Sequence, residues 1–83
     1  MNYEELAEII RKHQKAYYEK YGINPTDVII GEKIFNYLEK KGEVTEETAG
    51  IVSQKNVFGL RAAIDKSSPY MIRLGHMEET TNP

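Results

Sequence analysis

The sequence contains no cysteine. That excludes disulfide staples and thiolate metal sites and fits a reducing compartment. Tryptophan is absent too, and the two histidines, His13 and His76, have no metal-ligand companion at a useful spacing. A dominant charge is also missing: 11 basic and 13 acidic residues are interspersed, for a formal net charge of −2. The basic footprint expected of a nucleic-acid binder is therefore lacking. The longest apolar runs reach about four residues, far short of the roughly 20 needed to cross a bilayer. The opening MNYEELAEII carries neither the basic region nor the apolar core of a secretory leader. The six glycines stand as single breaks rather than as a phosphate-cradling loop. Ser53, Ser67 and Ser68 have no histidine close in sequence to activate them. Glu46 and Glu47 have nothing to fix them as an acid–base pair. The expectation is a cytoplasmic, non-enzymatic protein that uses no cofactor, metal, nucleic acid or membrane.

What is present suits one small globular domain. The chain has 83 residues, of which 40% are hydrophobic and 29% charged. A chain this size buries only about 60–65% of the surface that its unfolded form exposes. With no covalent staple, association with itself or a partner protein is a natural further source of stability. Residues 1–75 read as the domain and 76-HMEETTNP-83 as a polar tail.

Residues 3–20 predict an amphipathic helix, with Leu6, Ile9, Ile10, His13, Tyr17 and Lys20 at three- and four-residue spacing. Asn2 is positioned to cap it, Glu4 and Glu5 suit its positive end, and Gly22 and Pro25 stop it. The segment 24-NPTDVIIGEKIFNYLEKKG-42 has two readings. One is a strand at 27–30 followed by a helix over 32–41. The other is a single helix capped at Asn24. Three consecutive β-branched residues followed by Gly31 favour the first. Residues 43–56 are polar and read as a loop or a loosely held short strand near Ile51 and Val52.

The best-patterned stretch is 56-NVFGLRAAIDKSSPYMIRLG-75. Phe58, Leu60, Ala62 and Ile64 alternate, as do Tyr70, Ile72 and Leu74, with five residues between the runs. Folded as a hairpin, the seven share one face. Gly59, Arg61, Ala63, Met71 and Arg73 then line the other, with Arg61 opposite Arg73. Two facing guanidinium groups suit a carboxylate or phosphate, or stand apart as solvated surface charges. Among the six tyrosines, Tyr18 falls roughly 100° off the apolar stripe of the first helix, as an interface anchor would or as a plain surface residue.

Asn24-Pro25, Val28 to Ile30, Phe58-Gly59-Leu60, Pro69 and Leu74-Gly75 together resemble a recurring segment of tailed-phage major capsid proteins. In that family a strand entered through proline leads into a helix, a polar excursion, a Phe-Gly strand start and a closing strand ending in glycine. The chain lacks the extended arm and long spine helix of a complete capsid subunit. The resemblance implies a small phage or prophage protein, virion-associated where it is not cytoplasmic. The fold expected is α+β: a two-layer sandwich in which a three-stranded sheet with a C-terminal β-hairpin is covered by two helices. The function expected is assembly or protein interaction through a surface of Arg61, Arg73, Ala63, Met71 and Tyr18. The alternative is a small regulatory binder of a host protein or anionic ligand.

Overall fold

A computed structural model of the chain describes residues 2–76. Its elements run α1 (Tyr3–Tyr21), β1 (Asp27–Gly31), α2 (Glu32–Lys40), β2 (Val44–Ala49), β3 (Val52–Val57), β4 (Leu60–Asp65) and β5 (Ile72–Gly75). The class is α+β, with a mixed five-stranded sheet in the order β2-β3-β4-β1-β5. Of the 76–83 tail, residues 77–83 lie outside the described residues.

Both ends of α1 follow from local chemistry. The Asn2 side chain accepts a 2.8 Å hydrogen bond from the Glu5 backbone N–H, satisfying one of the orphan donors of the first turn. Gly22 closes the helix in the left-handed region, at φ 73°. The buried stripe, however, differs from the expected one. Leu6 and Ile10 are buried, with Tyr3 and Tyr17 partly so, whereas Ile9, His13 and Lys20 are exposed. Positions 3, 6, 10, 14 and 17 form one continuous ladder, and 9, 13 and 20 lie on the neighbouring row. His13, expected to pack on the stripe, instead donates from Nδ1 to the carbonyl of Ile9 at 2.8 Å.

The strand-then-helix reading of 24–42 holds. Val28 and Ile30 are fully buried, and α2 adds Ile34, Phe35 and Leu38 to the same core, together with Leu6, Ile10, Val57 and Leu60. Each such side chain is worth roughly 1.5–3 kcal/mol when fully buried.

The expected three-stranded sheet and C-terminal hairpin are corrected. The strands β4 and β5 do not pair. Strand β1 lies between them, parallel to β4 (Val28 beside Ala62) and antiparallel to β5 (Val28 beside Leu74). The most apolar strand takes an interior place, flanked by β4 and β5. The 66–71 connection crosses its C-terminal end: Met71 accepts from the Gly31 N–H at 2.8 Å. Pro69 accepts from the Lys33 N–H at 3.2 Å, a backbone cap for a helix whose N-cap, Gly31, has no side chain. The face assignment within the strands survives this rearrangement. By register Leu60, Ala62, Ile64, Ile72 and Leu74 share the helix side with Val28 and Ile30, although Ile64 is 43% exposed. Phe58 and Tyr70 fall outside the strands. Phe58 and Gly59 form the two-residue turn between β3 and β4, with φ of 53° and 75°. Positive φ at both central positions matches the twist of a tight hairpin, though it is unusual for an aromatic residue. The Phe58 ring stacks on Tyr3 at 5.7 Å and 13°.

The loop, or loosely held short strand near Ile51 and Val52, expected at 43–56 is a second correction, because the segment forms two strands, β2 and β3, paired along their whole length from Val44–Val57 to Ala49–Val52. The β3–β4 ladder covers only Asn56–Arg61 and Val57–Leu60. Beyond that point β3 pairs only with β2, and the two strands continue as an arm.

Two expected outcomes follow. A Cβ on Gly31 would overlap the backbone of Ser68 and Pro69. Gly31→Ala should therefore cost about 1–3 kcal/mol or more in urea unfolding, although φ here suits any residue. The Asp65 carboxylate accepts from the Ser67 hydroxyl and backbone N–H at 2.6 and 2.8 Å, which hold its pKa below the ordinary value. Its contribution is then complete above the unfolded-state pKa of about 3.9 and lost as pH falls through the lower folded value. Asp65→Ala should flatten the stability curve below about pH 4 and leave its neutral limb parallel to wild type.

Candidate interaction surfaces

Residues paired across a sheet share a face. The side of the sheet away from the helices therefore carries Thr45 and Glu47 of β2, Gln54 and Asn56 of β3, Arg61 and Ala63 of β4, Asp27 and Ile29 of β1, and Arg73 of β5. Among the described residues no helix or strand packs across it, although Tyr17, Tyr21 and His76 border it at the β5 edge, where they share a recess with Asp27, Ile29 and Arg73. Ile29 and Ala63 are exposed next to each other at its centre, and polar side chains surround them.

Arg61 and Arg73 both lie on this face, but not opposite each other. Arg61 stands beside Asp27 and Arg73 beside Ile29, with β1 between them. From a strand spacing of about 4.8 Å and a rise of about 3.4 Å per residue, their Cα atoms stand roughly 12 Å apart. The facing pair expected from a hairpin does not form, because it required β4 and β5 to be neighbours. Arg61 Nε instead bonds Asp27 Oδ1 at 2.8 Å. Arg73 is exposed and makes no ion pair among the described residues. Ala63 is exposed, and Met71 is half-buried just before β5. Tyr18 is exposed on α1 next to Asn24 and Pro25, away from the sheet face. Asn56 Oδ1 is shielded from solvent without a hydrogen-bond partner, a local cost on this side of the sheet.

A second surface escaped the sequence reading. A groove of about 490 Å³ runs between α1 and β5, lined by Lys12, Tyr17 and Lys20 on one wall and Ile72, Arg73 and Leu74 on the other. No acidic residue lines it among the described residues. Its signal was present in two four-residue rows of α1, Lys12-Ala16-Lys20 and His13-Tyr17-Tyr21. It stayed hidden because nothing local says that β5 would be the edge strand under α1. One end is closed by aromatics. The Tyr17 hydroxyl is hydrogen-bonded to His76 Nδ1, and the Tyr17 and Tyr21 rings lie 4.6 Å apart. Burial raises the Tyr17 pKa, with smaller contributions from Tyr21 and Asp27. His76, read as the start of the tail, thus ties the end of β5 to α1.

No helix among the described residues is long and apolar enough to cross a membrane. No group of three or more His, Cys, Asp or Glu residues is placed to hold a metal ion among them.

Because the Arg61 and Asp27 side chains keep about a third of their surface in water (38% and 32%), their pair should contribute less than about 1 kcal/mol. Asp27→Asn should lower urea stability by no more than that, and the difference should shrink in high salt. Compared with protein-family models, curated proteins and solved structures, the chain matches none.

Proposed function

We propose that this domain is a non-enzymatic assembly or protein-interaction module of phage or prophage origin. One observation carries the interaction reading: among the described residues no helix or strand packs across the side of the five-stranded sheet opposite the helices, and near its middle lie the exposed neighbours Ile29 and Ala63. An apolar centre with a polar rim is how protein contact surfaces are built. Among the described residues the two outer strands, β2 and β5, each pair with a single strand, and unpaired edges readily recruit another chain. The phage origin rests on the resemblance of residues 24–75 to the capsid segment.

A second reading, a small regulatory binder of a host protein or anionic ligand, is favoured by the cationic groove of Lys12, Lys20 and Arg73. Such a protein stays monomeric and unfolds at higher temperature in the presence of phosphate or an acidic peptide.

Light scattering separates the two. The assembly reading expects species larger than the monomer that grow with protein concentration, and a lower average mass for Ala63→Asp at matched concentration. A protein that stays monomeric at high concentration removes self-assembly.

A further inference from the structure

Each outer strand of the sheet is half of something. At one end, β2 and β3 leave β4 after Asn56 and continue as an arm with no helix above its outer part. The arm turns at Gly50 and Ile51, where Gly50 has φ of 64° and Ile51 is fully exposed. At the other end α1 flanks β5 with no further strand beneath it among the described residues, and the groove lies there.

The backbone groups at both edges can be assigned from the register. Gly31 and Met71 are joined by a hydrogen bond. In an antiparallel ladder bonded pairs recur every second residue, so Arg73 and Gly75 also face β1. The N–H and C=O groups of Ile72 and Leu74 therefore point outward. A two-residue hairpin loop closes on a bonded pair, here Ala49 and Val52. Glu47 and Thr45 then face β3, and the main-chain groups of Glu46 and Thr48 point outward.

The charges at the two edges are opposite. On the outer strand of the arm Glu47 is on the bare side, and Glu46 is on the helix side, where it accepts from the Ser53 hydroxyl and lies opposite Lys55, whose ammonium is drawn towards Glu39 of α2. The groove presents Lys12 and Lys20 on α1, and Arg73 on the bare side of β5.

We infer that β2 of one copy adds to β5 of the next, so that the acidic arm enters the cationic groove and the sheet continues from molecule to molecule. The strand directions fit: β2 runs parallel to β1, and β5 runs against it. A neighbour placed by translation along the sheet brings β2 up antiparallel to β5. That placement keeps the faces in register. Glu46 comes under α1 towards Lys12 and Lys20, Glu47 comes beside Arg73, and α1 covers the stretch of arm that has no helix of its own. Two grooves or two arms meeting would set like charges together, so the contact is head-to-tail, of the kind that builds rings or filaments.

The inference rests on the assembly reading and names its contact. Sedimentation velocity of the full chain across a concentration series, at low and high salt, tests it with two charge reversals. Glu46→Lys with Glu47→Lys reverses the arm, and Lys12→Glu with Lys20→Glu reverses the groove. All four positions are exposed, and far-ultraviolet circular dichroism verifies that each variant is folded. Each double variant alone should associate at least about tenfold more weakly than wild type. An equimolar mixture of the two should associate again, because each reversed edge then meets its opposite. Wild-type assembly that ignores both reversals, or a mixture that stays monomeric, overturns the inference and leaves assembly through another surface standing. A wild-type monomer throughout overturns both.

Discussion

The position of β1 decides the rest of the molecule. Val28 and Ile30 are fully buried, and their strand is hydrogen-bonded on both sides, by β4 and by β5. A short run of β-branched residues is stable in a sheet when its helix-side face is sealed and both ladders are filled. Once β1 lies between β4 and β5, two consecutive strands that alternate like a hairpin are pushed apart by its width. The 66–71 connection must then cross its end, where Gly31 leaves room for Pro69. Both edges of the sheet are set by the same step: among the described residues no strand lies beyond β5, and β2 is displaced to the far side.

The same displacement redistributes charge. In a hairpin, two arginines would face each other and need an external anion. With β1 between them, Arg61 finds Asp27 on the inserted strand, and Arg73 stays at the rim of the α1 groove. The cationic character of the surface therefore moves from the centre of the bare face to the β5 edge, where it combines with Lys12 and Lys20. The centre keeps only Ile29 and Ala63. The two surfaces differ in kind: one is flat and weakly apolar, and the other is grooved, cationic and equipped with free main-chain groups.

Much of this was legible in local chemistry. The limits of α1, the break at Gly31, the extent of α2 and the side of the sheet on which Leu60, Ala62, Ile72 and Leu74 lie all follow from caps, β-branching and alternation. Strand order does not. Alternation assigns a residue to a face but is silent about which strand lies next to which, so Arg61 and Arg73 were placed on the right side and beside the wrong neighbours. Phe58 misled for a related reason: it continues the alternation of β4 by sequence, yet Gly59 turns the chain there, and its ring reaches Tyr3 from a turn rather than from a strand. Of the candidate surface residues, Arg61, Ala63 and Arg73 lie on the two surfaces, Met71 is half-buried just before β5, and Tyr18 lies on neither surface.

The arm was missed because of how the layers are proportioned. Two helices packed about 8–10 Å apart cover a width of roughly 20 Å, whereas five strands at about 4.8 Å demand slightly more. Here α2 lies over β1 and β4 and α1 lies against β5, so the outer arm receives no cover. A strand with water on both faces has no reason to alternate, and Thr45, Glu46, Glu47 and Thr48 do not. What holds the ribbon is at its base: Val57 in the core with Val44 against it, and Lys55, whose Nζ lies 5.4 Å from the Phe35 ring and 3.4 Å from Glu39. An isolated two-stranded ribbon is marginal in water. This one gains little from its own domain beyond that base, so the cheapest way to stabilise its outer half is a layer supplied from outside, and α1 with its three flanking cations has the charge to supply it.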